Sequence, residues 1–139
     1  MIEFFYESVD FKLQDSLKFS EWLNKLISLE GGQLNHLNFI FCNDEYLLSI
    51  NQEYLHHDTY TDIITFPLEN YPIIEGDIFI SVDRVKDNAL KYEVSFDKEL
   101  LRVMAHGILH LCGFKDKSEE EIKIMRDKEE VSILLFSEI

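Results

Sequence analysis

The feature that most constrains the fold is an apolar run that carries two histidines four positions apart. Between Leu100 and Leu111, apolar residues occur on more than one side of a predicted helix, which places that helix at the centre of the domain. His106 and His110 share one face of it, because residues at i and i+4 are neighbours on a helix surface. Gly113 follows and can end the helix by taking a positive φ. The chain can therefore turn back toward its own histidines.

The spacing of these residues predicts a metal site. The full pattern is His-x3-His-x2-Gly-x2-Asp, which brings Asp116 toward His106 and His110. Two imidazoles and one carboxylate leave one position of a tetrahedral zinc site open, as in catalytic rather than structural sites. We predict zinc on these three ligands, with nickel or another divalent ion as the alternative. The competing interpretation is a pair of core histidines beside a turn aspartate. Asp97 and Asp127 are weaker substitutes for the third ligand.

The same pattern matches the extended signature of zinc proteases, except at two positions. The last histidine of that signature is an aspartate here, and Gly107 stands where those enzymes carry the glutamate that acts as general base. Any base must therefore come from elsewhere in the chain. Asp62 and Asp77 are the candidates for this base, and His57 is a further catalytic candidate, as a contact to phosphate when it is protonated. Each of the three has a plainer alternative. For the aspartates this is hydrogen bonding at a strand end, and for the histidine it is an exposed loop position without a role.

The remaining periodicity predicts an α+β fold with the element order β-α-β-α-β-β-α-α-α. The predicted strands are residues 2–6, 37–42, 62–66 and 76–81, with a loop over residues 67–75. The third and fourth strands are expected to form a hairpin. The candidate N-caps of the five predicted helices are Asp15 or Ser16, Asn43, Ser81, Ser95 and Ser118. We expect residues 1–139 to form a single domain with a small mixed four-stranded sheet.

Composition narrows the class of protein and its compartment. The chain carries 13 basic and 27 acidic residues, a net charge of −14, which argues against broad electrostatic binding of nucleic acid. A locally basic groove or a bound metal is compatible with that balance. No apolar run approaches the ~18–20 residues that span a bilayer, and the first residues lack the features of a signal peptide. Cys42 and Cys112 are expected to be buried, reduced thiols. These features indicate a cytoplasmic protein.

Three sequence blocks resemble the YbeY family of bacterial rRNA maturation factors, and they occur in the same order as in that family. The first combines Asn51-x-x-Tyr54 with Thr61-Asp-Ile-Ile-Thr-Phe-Pro67. The second is Gly76-Asp77-Ile78, and the third is His106-Gly-Ile-Leu-His110-Leu-Cys-Gly113-Phe114. The third block is the most specific, and the resemblance extends over nearly the whole chain.

This resemblance implies a metal-dependent, single-strand-specific endoribonuclease that acts in ribosomal RNA maturation. It implies single-stranded RNA as the substrate, with the ribosomal small subunit or its assembly proteins as partners. Two departures stand out: the third metal ligand of the family is a histidine where this chain has Asp116, and an arginine of the family is Leu55 here. Two alternatives stay open. One is a non-catalytic ribosome-assembly factor with a structural metal, and the other is a metal-dependent peptidase or other hydrolase, which Gly107 disfavours.

Overall fold

A mixed sheet of four strands forms one layer of the domain. The computed structural model describes residues 1–139. Its strands are β1 (Ile2–Glu7), β2 (Gln33–Cys42), β3 (Ile63–Pro67) and β4 (Ile73–Ser81). Their order across the sheet is β1-β2-β4-β3. β1, β2 and β4 are parallel, and β3 runs antiparallel to β4. The predicted mixed sheet and the predicted hairpin are therefore confirmed.

Two strands begin earlier than the sequence predicts. β2 starts at Gln33, and its register against β4 shifts between Leu34 and Leu37. Asn35 and His36 lie at this irregularity and interrupt the apolar pattern, so the sequence does not show where the strand starts. β3 ends at Pro67 and β4 begins at Ile73 rather than Gly76, so the prediction of a loop over residues 67–75 is wrong for its first position and for its last three. The start of β4 is extended because the early part of β2 pairs with it.

Five helices complete the fold, and each begins after a predicted cap. They are α1 (Ser16–Leu29), α2 (Asp44–Leu55), α3 (Val82–Tyr92), α4 (Phe96–Leu111) and α5 (Glu119–Ser137). Asp15 rather than Ser16 caps α1, since its side chain accepts a hydrogen bond from the backbone of Lys18. The capping box of Ser118 and Glu121 is present at α5. None of the five helices is both long enough and apolar enough to cross a membrane.

Helix α4 is the centre of the domain, as predicted. Ten of its sixteen residues are buried, and it packs against β3, β4, α1, α3 and α5. The main core cluster also includes Trp22, which is fully buried and whose indole N–H donates to the carbonyl of Ser132 at 2.8 Å. This hydrogen bond links α1 to α5. The α+β class predicted from the sequence is thereby confirmed.

Gly107 sets how closely α4 approaches the sheet. A Cβ at this position would lie 3.0 Å from Cδ1 of Ile63 on β3 and 3.1 Å from Cδ1 of Ile78 on β4. Both contacts are tighter than ordinary van der Waals separations. The missing side chain therefore lets the histidine-bearing half of α4 lie directly beside β3, which is an edge strand.

Candidate metal centre

The two histidines of α4 lie side by side at the C-terminal end of the helix. The centroids of the His106 and His110 rings are 4.5 Å apart, and the rings are nearly perpendicular. Their side chains are 16% and 31% exposed, so both imidazoles reach solvent from a largely buried helix. The i, i+4 spacing in the sequence therefore has the predicted geometric result.

The turn after α4 brings Asp116 back to these imidazoles. Gly113 takes a φ of 96°, and the backbone N–H of Phe114 donates to the carbonyl of Leu109 at 3.0 Å. This reverses the chain as expected for a helix ended by a glycine with positive φ. Oδ2 of Asp116 then lies 3.3 Å from Nε2 of His106 and 3.4 Å from Nε2 of His110. The structure thus brings the three predicted ligands together.

The separation of these atoms suits a tetrahedral ion. Two ligands that each lie about 2.0–2.1 Å from one zinc ion in tetrahedral geometry are about 3.3–3.4 Å apart. The ligand atoms of His106, His110 and Asp116 all lie within 4.8 Å of one another, and no other group of three such residues converges in this way. The donor set and its spacing therefore fit a divalent metal.

The hydrogen bonds of the Nδ1 atoms leave both Nε2 atoms free for a ligand role. Nδ1 of His110 lies 2.9 Å from the backbone carbonyl of Phe114, which can only accept, so this nitrogen carries the proton. Nδ1 of His106 lies 2.6 Å from Oε2 of Glu129. A proton on each Nδ1 places the lone pair of each neutral ring on Nε2, which is the atom that faces Asp116.

The three residues line the wall of a groove of about 740 Å³ beside β3. Ile63, Thr65 and Pro67 contribute the edge of that strand to the same groove. His57 and Asp62 also line it, so two of the three candidate catalytic residues lie along the same groove as the predicted metal ligands. Leu55 lines the groove as well.

Asp77 is not brought to this groove. It lies on β4, next to Ile78, whose side chain faces Gly107 on α4. Because successive side chains of a strand point to opposite faces, Asp77 lies on the other face of the sheet. There it accepts a hydrogen bond from the side-chain amide of Asn38 at 3.0 Å. This is the strand hydrogen bonding that the sequence offered as its plainer alternative.

Asp97 and Asp127, the substitutes for a third ligand, also lie away from the groove. Asp97 is in the first turn of α4, at the opposite end from the histidines. Asp127 is on α5 and lines a separate, more apolar groove. The two cysteines are free and buried as predicted. Burial, followed by nearby carboxylates, raises the pKa of Cys42 to about 12. Burial, followed by one carboxylate and opposed by one lysine, raises the pKa of Cys112 to about 11, so both thiols stay protonated.

The surroundings of Asp62 alter its affinity for protons. Burial raises the pKa of its carboxyl, and the neighbouring Arg102 and then His106 only partly oppose this effect. Oδ2 of Asp62 lies 3.7 Å from Nη2 of Arg102. A carboxylate with raised proton affinity beside a metal site has the property that a proton acceptor needs.

The sequence analysis did not predict the buried cluster of charged side chains that contacts His106. Glu99 and Arg102 on α4 form two hydrogen bonds of 2.6 and 3.0 Å, and Glu129 on α5 joins them. Burial alone would lower the pKa of Arg102, but Glu99 first and then Glu129 and Asp62 outweigh it and raise that pKa. One signal was available: Glu99, Arg102 and His106 form a polar stripe at helical spacing in an otherwise apolar helix.

Comparison with known proteins places the chain in a family. The family model described as endoribonuclease YbeY matches residues 5–136. The endoribonuclease YbeY of Flavobacterium johnsoniae is 52% identical over 98% of this chain and 97% of its own length. That of Christiangramia forsetii is 51% identical over 97% of this chain and 94% of its own length. The solution structure of a Thermotoga maritima protein aligns with a TM-score of 0.71 and 29% identity, over 98% of this chain and 89% of that one. The chain belongs to the endoribonuclease YbeY family.

Proposed function

We propose that this protein is a metal-dependent endoribonuclease that hydrolyses phosphodiester bonds in single-stranded RNA. The observation that carries the proposal is the convergence of His106 Nε2, His110 Nε2 and Asp116 Oδ2 at the wall of an open groove. Three protein ligands leave a coordination position for water or substrate, which a closed structural site does not. The names of the relatives supply the substrate class, since they are endoribonucleases.

Hydrolysis needs an activated water molecule and a group that accepts its proton, and the groove offers residues for both roles. A divalent ion, when bound, supplies Lewis-acid chemistry that lowers the pKa of water and polarises a phosphoryl oxygen. Hydrolysis joins the oxygen of water to phosphorus and breaks the bond from phosphorus to the leaving ribose oxygen. We assign Asp62 as the acceptor of the proton that water loses, because it lines the groove with raised proton affinity. The leaving oxygen takes its proton from solvent, to which the groove is open.

The groove itself supplies few positive charges for the RNA backbone. Lys117 is the one lysine or arginine among its lining residues, and His57 is a second cation only when protonated. The chain's net charge of −14 opposes RNA at long range. We therefore infer that RNA is held by Lys117, by the metal and by hydrogen bonds from the edge of β3, rather than by a broad basic surface.

We further propose zinc as the ion, with nickel or another divalent metal as the alternative, because two imidazoles and a carboxylate suit zinc. Ribosomal RNA is the proposed natural substrate, and the ribosomal small subunit or its assembly proteins are the proposed partners. The cytoplasm is the proposed compartment. The resemblance of the three sequence blocks to a family of rRNA maturation factors supports these assignments.

The experiment compares metal content and RNA cleavage in three proteins purified without chelators. The wild type is expected to hold about one equivalent of metal and to cleave single-stranded RNA. The double variant His106→Ala/His110→Ala is expected to lose both. His36→Ala is the matched control, since His36 lies on β2 and contacts Glu3 and Asn38 outside the groove. A metal-free wild type, or cleavage that survives in the double variant, would contradict the proposal.

A second candidate is a ribosome-assembly factor whose metal is structural. The loss of the family's arginine at Leu55 and the charge of −14 favour it. It predicts a wild type that holds metal and cleaves no RNA under any ion. A peptidase lacks comparable support, because the position of its general base is Gly107, which faces Ile63 and Ile78 in the core.

A further inference from the structure

Glu129 is a buried carboxylate placed directly behind one of the proposed metal ligands. It lies on α5 and is 1% exposed. Its Oε2 accepts a hydrogen bond from Nδ1 of His106 at 2.6 Å. Burying a carboxylate is costly unless hydrogen bonds and opposite charge compensate for it. The fold accepts this cost at the ring of His106, on the side opposite the proposed ligand atom.

Glu129 is itself held in place by a fixed cation. Its Oε1 lies 3.4 Å from Nη1 of Arg102, and Arg102 is bound through two further hydrogen bonds to Glu99, which is also buried. Glu99, Glu129 and Asp62, three carboxylates, therefore face one guanidinium group. His106, which is hydrogen-bonded to Glu129, is the neighbouring side chain that can offer this cluster further positive charge.

The second histidine has a different partner. Nδ1 of His110 donates to the backbone carbonyl of Phe114, a neutral acceptor on the turn after α4. A carboxylate stabilises a partial positive charge on an imidazole more strongly than a carbonyl does. When an imidazole donates its other N–H to a carboxylate, its ring orientation and tautomer are fixed and its basicity as a ligand rises. The two histidines are therefore chemically unequal although the sequence motif presents them as a pair.

We propose that Glu129 is a positioning residue that fixes the tautomer of His106 and makes it the stronger imidazole ligand of the metal site. Arg102 holds Glu129 in the orientation that this role needs. The inference rests on the proposed metal site, and it adds a contribution from α5 to a site otherwise built by α4 and the turn after it.

The test is Glu129→Gln, which keeps the size of the side chain and a hydrogen-bond acceptor but removes the charge. Arg102 retains Glu99 and Asp62, so the buried cation stays paired in this variant. Glu30→Gln is the matched control: it makes the same chemical change, and it also breaks an ion pair with α5, at Lys128, 2.9 Å away. The zinc dissociation constant is measured by competition with a chelator, and the absorption spectrum of the Co²⁺ protein reports the ligand field.

Glu129→Gln is expected to weaken zinc binding by about 10–100-fold and to shift the Co²⁺ bands. Glu30→Gln is expected to leave both unchanged. A folded Glu129→Gln protein with the wild-type dissociation constant and spectrum would overturn the inference while leaving the metal site intact. A wild type that binds no metal would overturn the proposed function together with it.

A second measurement covers the case in which Glu129→Gln does not fold. Nitrogen-15 NMR of the metal-free wild type reports which ring nitrogen of His106 carries the proton. The inference predicts a proton on Nδ1, shared with Glu129, at a pH where the ring is neutral. A neutral ring with its proton on Nε2 would refute the role of Glu129, because that tautomer has no lone pair for a metal at Nε2.

Discussion

Restoring the zinc-protease base at position 107 is the sharpest test of how α4 lies on the sheet. In Gly107→Glu, the new Cβ meets Ile63 at 3.0 Å and Ile78 at 3.1 Å. The carboxyl group that follows enters the core between α4 and the sheet rather than the groove. Gly107→Ala introduces the same Cβ without the charge, so the pair of variants separates crowding from burial of a polar group.

The structure sets the size of both effects. Replacing glycine by alanine inside a helix gains about 1 kcal/mol of intrinsic propensity. Overpacking a well-filled core costs about 1–3 kcal/mol. We therefore expect Gly107→Ala to lower the free energy of unfolding by about 0–2 kcal/mol. Gly107→Glu adds the burial of an unpartnered carboxyl group, which brings its cost to at least about 4 kcal/mol. That is a large share of the about 5–15 kcal/mol that stabilises a typical domain.

Urea unfolding of the metal-free proteins, followed by circular dichroism, measures these costs through the transition midpoint. Gly113→Ala is a useful comparison, since Gly113 has a φ of 96° and open space around it. Its cost arises from backbone strain of about 1–2 kcal/mol rather than from contacts. A Gly107→Glu protein as stable as the wild type, or one that gains peptide hydrolysis, would show that position 107 faces the groove and would refute the packing argument.

Three further predictions follow from other contacts. Because burial raises the pKa of Asp62 above its ordinary 3.8, the folded chain binds that proton more tightly than the unfolded chain. The contribution of Asp62 to stability therefore falls as pH rises from 3.8 through the raised pKa of the folded chain. The stability of metal-free Asp62→Asn relative to wild type should then increase between pH 4 and pH 8, and a constant difference in urea titrations would contradict this. Lys117→Ala should raise KM for RNA more than it lowers kcat, and should reduce the slope of log affinity against log salt by about 0.7; an unchanged slope would remove Lys117 from the RNA contacts. Trp22→Phe should lower the free energy of unfolding by about 1–3 kcal/mol, because the buried hydrogen bond from the indole N–H to the carbonyl of Ser132 is lost; an unchanged midpoint in urea would show that water replaces the indole.

Local signals explain why the helices were predictable and the sheet only partly so. Ser95 and Ser118 cap their helices through hydrogen bonds to residues three positions on, which is information that a short stretch of sequence contains. The order of the strands depends on contacts between distant segments, and the sequence shows only that the third and fourth strands are close enough to pair. The early start of β2 was hidden because Asn35 and His36 lie at an irregular point of its register.

The same distinction applies to the candidate site. His106, His110 and Asp116 lie within eleven residues, so helix geometry and one glycine turn suffice to predict that they converge. Glu129 is 23 residues from His106, on a helix whose neighbouring positions are also charged. Helical spacing places Glu129 on the same face as Met125 and Ser132, the other buried residues of α5, so the sequence does contain a signal that this position faces inward. The local period does not show that His106 and Arg102 are its partners, because that depends on how α5 packs against α4.

The order of α4 and α5 along the chain has a consequence for biosynthesis. The histidines and Asp116 emerge from a translating ribosome before α5, the helix that packs against α4 and supplies Glu129 to His106. A nascent polypeptide that stops short of residue 118 exposes the polar stripe of α4 to water, and the indole of Trp22 lacks its acceptor on α5. Protein domains generally complete their cores only after the last element has been synthesised. Capture of an ion with full affinity is therefore expected only after α5 has been synthesised and has packed against α4.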